Sequence, residues 1–258
     1  MRIIRSDEAL PGVYGSHFRI ARICNAASNA AICAEMKTSL IRWLAVVIMC
    51  VFAAPCLSAD TIRPSRQELS LISGWRFHLR DQPGAETEAF DDSSWTAVRL
   101  PHTRNAQDGQ DGGNNYFRGT SWYRRHFSAP LSWVNRQVYV QFEGVNRRAD
   151  VYLNGQLLGT HLGGFARFRF DVTRVLKLGA TNVLAVKVNN EGNNIIPTAA
   201  ADFTFFGGIY RGVSLLITNK LQIETLDYGS SGVYVKQEHV SPELADLAVT
   251  VKLANHER

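Results

Sequence analysis

The sequence predicts an all-β protein: an antiparallel β-sandwich of jelly-roll type, followed by the opening strands of a second sandwich. Three observations lead there. From Ser70 onward, short runs alternate apolar with polar residues. Gly, Asn and Asp separate those runs. No stretch of this part sustains the 3.6-residue period of an amphipathic helix, so the elements must be strands joined by turns.

Taken in order, Val138, Val140 and Phe142 alternate with Tyr139, Gln141 and Glu143, as in a half-buried strand. Val151-Tyr152-Leu153 leads into Asn154-Gly155, two residues that tolerate positive φ and suit a type I′ hairpin turn; Gln156-Leu157-Leu158-Gly159 returns as the partner. Phe168 and Phe170 alternate with Arg167 and Arg169. Residues 172–177 suggest a single helical turn closed by Gly179. Residues 183–188 and 213–218 are two further β-branched, apolar strands. Beyond Thr218, residues 221–226, 233–235 and 247–253 are strand-like as well. Residues 219–258 are too few to complete a seven-stranded sandwich of about 100 residues. They are expected to leave Val249, Val251 and Leu253 without a facing sheet.

Charge and cysteine usage narrow the function classes. Residues 1–59 carry six Lys/Arg against three Asp/Glu, leaving 22 against 20 of the chain's 28 and 23 for residues 60–258. No basic stripe interleaved with aromatics occurs, which argues against a nucleic-acid partner. All four cysteines, Cys24, Cys33, Cys50 and Cys56, precede residue 60. Without that region the protein has no disulfide and no thiolate metal site, and its core alone must hold it together.

Residues 36–59 have the form of a signal peptide. Lys37 and Arg42 precede an uncharged stretch whose apolar centre, 44–54, is eleven residues long, short for a membrane span of about 20. Pro55 breaks a helix, and Ala59 is the small residue a signal peptidase requires. Cleavage after Ala59 would export the protein to the periplasm or the extracellular space, with membrane contact only through the signal peptide. An uncleaved anchor is the competing reading. A lipoprotein reading through Cys56 suits the motif less well, because Pro55 stands where a small residue is expected. Synthesis from Met36 would make residues 1–35 a misassigned extension; they show no sustained periodicity.

The same residues resemble a known family. Gly74-Trp75-Arg76-Phe77, Phe90-Asp91-Asp92-Ser93-Ser94-Trp95, Leu100-Pro101-His102 and Trp122-Tyr123-Arg124-Arg125-His126-Phe127 follow one another as in the N-terminal sugar-binding domain of glycoside hydrolase family 2. Phe142-Glu143-Gly144-Val145, Val151 to Gly155, Gly163-Gly164-Phe165, Phe170-Asp171-Val172-Thr173, residues 182–188 and Gly207-Gly208-Ile209-Tyr210-Arg211 continue the order. Each piece alone is weak, and their succession over some 150 residues carries the resemblance. It implies a jelly-roll domain over 60–218 and, over 219–258, the start of an immunoglobulin-like domain. It also implies a following (β/α) barrel with two catalytic glutamates for retaining hydrolysis. This sequence contains neither that barrel nor its glutamates. Glu143 and Glu191 match no catalytic position.

Sugar hydroxyls both donate and accept, so carboxylates, amides and aromatic faces are their natural partners. Two loops concentrate these groups: 102–123, with Asn105, Asp108, Asp111, Asn114, Asn115 and Tyr116, and 189–206, with Asn193, Asn194, Asp202, Phe203 and Phe205. The resemblance assigns Asn105, four residues after Pro101, and Asp202, five before Gly207, to the sugar site of β-galactosidases. Asp108, Asn114 and Asn115 are possible support. Turn capping is the competing role for Asn105 and Asp202. Trp75 and Trp95 stand at strand starts and are expected in the core rather than as stacking platforms. His102 and His126 lack ligand spacing, so no metal or other cofactor is expected. Arg211 should tie a strand end to a loop, and of the neighbours Arg124 and Arg125 at least one should be solvated.

The expected function is the non-catalytic sugar-binding portion of a β-galactosidase-like hydrolase, lacking its catalytic barrel domain. The Asp/Asn-rich 105–115 loop suits a β-linked neutral sugar such as a galactoside. A free-standing secreted glycan-binding or adhesion sandwich is the alternative.

Overall fold

The computed structural model describes residues 13–18, 64–108, 115–192, 196, 206–242 and 244–257. The signal-peptide segment 36–59, Asp111, Asn114 and Asp202 lie outside the described residues.

The strands run β1 (Val13–Phe18), β2 (Arg66–Ser70), β3 (Trp75–Leu79), β4 (Thr96–Val98), β5 (Thr120–Ser128), β6 (Gln137–Phe142) and β7 (Arg148–Leu153). They continue with β8 (Gln156–Leu162), β9 (Phe168–Asp171), β10 (Thr181–Asn189), β11 (Val213–Thr218), β12 (Leu221–Ile223), β13 (Val233–Val240) and β14 (Ala245–Asn255). Two antiparallel sheets form the sandwich: six strands ordered β4-β3-β5-β10-β7-β8, and four ordered β2-β11-β6-β9. Sequence neighbours are split between the sheets, as in a jelly roll. The exceptions are β3, β4 and β5, which stay together in the six-stranded sheet, and the β7–β8 hairpin, whose turn is Asn154-Gly155, with φ of 52° and 80°. Both residues are left-handed, as the type I′ turn requires.

Alternation decides what fills the interior. From the six-stranded sheet, Trp75, Tyr123, Val151, Leu153, Leu184 and Val186 point inward; Val140, Phe142, Phe168, Leu215 and Ile217 meet them from the other sheet. Each fully buried aliphatic or aromatic side chain contributes about 1.5–3 kcal/mol. The Trp75 indole N–H donates to Leu71 O at 2.5 Å, so its polar tip is satisfied inside the core. Trp95 is buried on the opposite face of the same sheet, in a second cluster with Ala85, Trp122 and Ala185. Both tryptophans are packing residues.

That outer cluster lies beneath the 80–95 segment, which Arg124 holds in place. Its neighbour Arg125 keeps partial exposure and donates to Ser73 O at 2.6 Å, whereas Arg124 is 0% exposed. Arg124 Nε donates to Asp92 Oδ2 at 2.8 Å, and its Nη atoms donate to the carbonyls of Ala85, Thr87 and Phe90. His126 Nε2 meets the same Asp92 oxygen at 2.9 Å. Arg211 donates to Phe165 O at 3.1 Å, joining the start of β11 to the loop before β9.

Beyond the sandwich, β14 carries β12 and β13 along one edge and β1 along the other. Val13–Phe18, from the stretch without periodicity, is therefore paired as a strand. Alternation predicts that Arg169 faces out from the four-stranded sheet, and it does, but it is covered. Its guanidinium donates to Gln141 Oε1 at 2.6 Å, Thr225 O at 2.6 Å and Ser230 O at 2.9 Å, which ties the 225–230 turn to the sandwich.

Candidate functional site

The chain leaves β4 through Leu100-Pro101 and enters a long loop that returns to the sheet at β5. Proline lacks the N–H that would extend the ladder, so the strand ends there. His102 N donates to Ile209 O at 2.9 Å and Arg104 N donates to Gly207 O at 3.1 Å. The first loop is thus laid along the end of the second, whose Gly207-Gly208 pair lies a few residues before β11. Gly208, at φ 129°, forms an antiparallel bridge with Asn146.

Asn105 sits where the loops meet and is 0% exposed. Its Oδ1 accepts from Gly207 N at 2.8 Å and from Asn190 Nδ2 at 3.4 Å. Its Nδ2 donates to Asp108 Oδ1 at 3.1 Å and to Phe117 O at 3.1 Å. All its side-chain hydrogen-bonding capacity goes to protein groups. Asp108 accepts a further bond from Phe117 N at 2.7 Å and closes the loop on itself. Asn115 is exposed. The structure therefore brings Asn105 and Asp108 together as a loop-holding pair.

An open cleft of about 340 Å³ beside this knot is lined by Phe77, His102, Arg104, Gln107 and Asp108, among others. Arg104 Nη1 donates to Gly119 O at 2.7 Å and Nη2 to Val188 O at 3.2 Å, while Nε is buried without a partner. Burial pulls its pKa down to about 10, so it stays cationic at neutral pH. Arg104 and Arg80 both lie over the Phe117 ring, at 5.8 and 5.6 Å, and Arg118 lies over Tyr116 at 4.2 Å. Three cations thus lie over two aromatic rings of the first loop. The second loop is held by Arg147, which is 5% exposed and donates to Ile196 O, and by Asn146 Nδ2, which donates to Phe206 O at 2.9 Å. Asn190, Arg104 and Arg147 carry no motif that singles them out in the sequence, and only the end of β10 at Asn189-Asn190 hinted at them. Among the described residues no three His, Cys, Asp or Glu side chains converge as metal ligands would.

His102 Nδ1 bonds to Tyr123 OH at 2.8 Å. Burial and the Arg104 charge lower the His102 pKa below its ordinary 6.5, and burial does the same to His161. Both bind protons more weakly folded than unfolded. The stability they contribute is whole above pH 6.5 and is lost as pH falls through the folded values. Asp92 is also lowered, because hydrogen bonds from Arg124 and His126 and their charges outweigh its burial; it acts only in acid, below 3.8. The melting temperature is expected to fall between about pH 7.5 and about pH 5.5, and to fall less in His161→Phe. An equal drop in both proteins would remove His161 from this account.

Comparison with known proteins gives the family. The family model for glycosyl hydrolases family 2, sugar binding domain, matches residues 83–219. A β-glucuronidase of Bacteroides fragilis is 38% identical over 199 residues, covering 77% of this chain and 28% of that protein. A β-galactosidase of Thermoanaerobacter pseudethanolicus is 33% identical over 195 residues, covering 74% of this chain and 25% of that protein. The crystal structure of Bacteroides uniformis β-glucuronidase superposes with a TM-score of 0.68 at 36% identity, over 71% of this chain and 22% of that one. The chain thus spans roughly a quarter of the length of these relatives.

Proposed function

Because this chain belongs to glycoside hydrolase family 2, we propose that it supplies one wall of the sugar site of a retaining β-glycosidase. The observation that carries the reading is the junction of the two polar loops at Asn105 and Gly207, which gathers amides, the Asp108 carboxylate and aromatic rings at one place. The bond-breaking carboxylates would come from a barrel domain of the same enzyme. This domain's part is to bind and orient. Asp202, carried on the second loop, would accept a hydrogen bond from a sugar hydroxyl, while Asn105 and Asp108 act from within by holding the first loop.

The relatives' names support a β-glucuronide or a β-galactoside as substrate. The Asn- and Asp-rich first loop suits a neutral galactoside. The arginines at 80, 104 and 118 favour a β-glucuronide, whose carboxylate would be drawn to a cationic surround.

Asp202→Ala in the full-length enzyme tests the site. A charge-assisted hydrogen bond is worth on the order of 1.5–3 kcal/mol, so kcat/KM should fall roughly ten- to hundredfold. The melting temperature should hardly move, since a loop carboxylate contributes little to stability. Chromogenic β-glucuronide and β-galactoside, assayed side by side, identify the sugar. Unchanged kcat/KM with a lowered melting temperature would leave Asp202 a turn-capping role and sink the site as drawn.

A further inference from the structure

We infer that Asn190 is a positioning residue for this sugar site: its side-chain amide, with that of Asn105, ties the two ends of the second loop, at Asn190 and Gly207, to the return limb of the first loop at Phe117 and Gly119. The inference rests on the functional reading above for its consequence, but its geometry stands alone. Asn190 is 4% exposed at the end of β10, where the second loop begins. Its Oδ1 accepts from Gly119 N at 2.9 Å, its Nδ2 donates to Phe117 O at 3.1 Å, and its own N–H donates to Gly119 O at 3.3 Å. Every one of these partners belongs to the first loop. The same Nδ2 reaches Asn105 Oδ1 at 3.4 Å, and Asn105 in turn accepts from Gly207 N at the far end of the second loop. One amide pair therefore touches the start of the second loop, its end, and the return limb of the first.

Gly207 packs directly against this pair. A Cβ on Gly207 would stand 2.6 Å from Asn190 Nδ2 and 2.8 Å from Arg104 Nε. Phe117 O accepts from both amides, so losing Asn190 Nδ2 strips one of its two donors and loosens the carbonyl to which Asn105 is also bound. Asn190 itself turns inward into this knot, and its effect on a sugar would pass through the loops. Displacements of about 1 Å at a site can cost up to about a hundredfold in rate.

Two measurements test the inference. In the present chain, amide hydrogen exchange of Asn190→Ala should speed up at both Gly119 and Gly207, although Asn190 bonds directly only to the first. In the full-length enzyme, Asn190→Ala should lower kcat/KM about tenfold, and adding it to Asp202→Ala should cost little more, because both act through one loop. Asn190→Asp keeps the shape and the acceptor for Gly119 N but turns an oxygen toward Phe117 O and Asn105 Oδ1, and is read beside core amides such as that of Leu216, whose unchanged exchange shows that the variant folds. It should protect Gly119 while Gly207 still exchanges faster. Unchanged exchange at Gly207, or fully additive losses in the double variant, would overturn the coupling. If Asp202→Ala alone is silent, the functional reading fails, and the exchange experiment still decides whether the loops are locked.

Discussion

Arg124→Ala is expected to lower the unfolding free energy by about 3–5 kcal/mol, the cost of breaking a buried ion pair by removing one partner. Arg124 is fully buried, and its guanidinium satisfies Asp92 and three carbonyls of the 80–95 segment. Truncation leaves those carbonyls without donors, leaves Asp92 with only His126, and opens a cavity beneath Phe90, whose ring lies 5.3 Å from the guanidinium carbon. Urea unfolding followed by tryptophan fluorescence would read the loss directly, because Trp95 and Trp122 sit in the same cluster. Arg124→Lys keeps the charge but cannot reach four acceptors, and should recover only part of the stability. A midpoint within experimental error of the parent would show that the segment holds itself in place without the guanidinium.

Gly208→Ala should be nearly as damaging, at about 3 kcal/mol or more, through strain and overpacking together. The φ of 129° is a conformation that side-chain-bearing residues rarely adopt. A Cβ there would lie 2.6 Å from Tyr123 OH and 2.7 Å from His102 O. Tyr123 is 0% exposed and bonded to His102, and the carbonyl is backbone, so neither can retreat cheaply. Gly212→Ala, four residues on, is the control, since a Cβ there meets nothing within 4 Å. The 208 variant should lose stability and loop geometry while the 212 variant keeps both. Equal melting temperatures for the two would mean the bridge to Asn146 can shift to make room.

Much of the sandwich was legible because its signals are local. Alternation over 138–142 picks out Val138, Val140 and Phe142 as the core face, although Tyr139 and Gln141 on the other face are buried too; the apolar run 183–188 marks a strand, and Asn154-Gly155 specifies the turn from two adjacent residues. Alternation misled at Arg169: it gave the correct face, outward, but nothing in five neighbouring residues says that the 225–230 turn will cover that face. Arg124 and Arg125 illustrate the same limit. Adjacent residues must point to opposite sides, yet the fully buried one is the arginine on the sheet's outer face, because the 80–95 segment folds over it.

The candidate site was legible only as two loops rich in polar residues. Asn105 stood out by its spacing from Pro101, yet what it does is set by Gly207, 102 positions away, and by Asn190, 85 away. The cationic surround of Phe117 comes from Arg80 and Arg104, and Arg118 sits beside it over Tyr116. In the sequence these arginines are isolated, and the Asp/Asn-rich 105–115 loop pointed to a neutral sugar. The sequence by itself determined most strands of the sandwich, the hairpin turn, the two tryptophans in their cores and the family, since periodicity, turn chemistry and motif order are carried by near neighbours. Only the tertiary structure decided which polar groups are buried and what they hold, because burial and partnership depend on distant segments that meet when the sheets close.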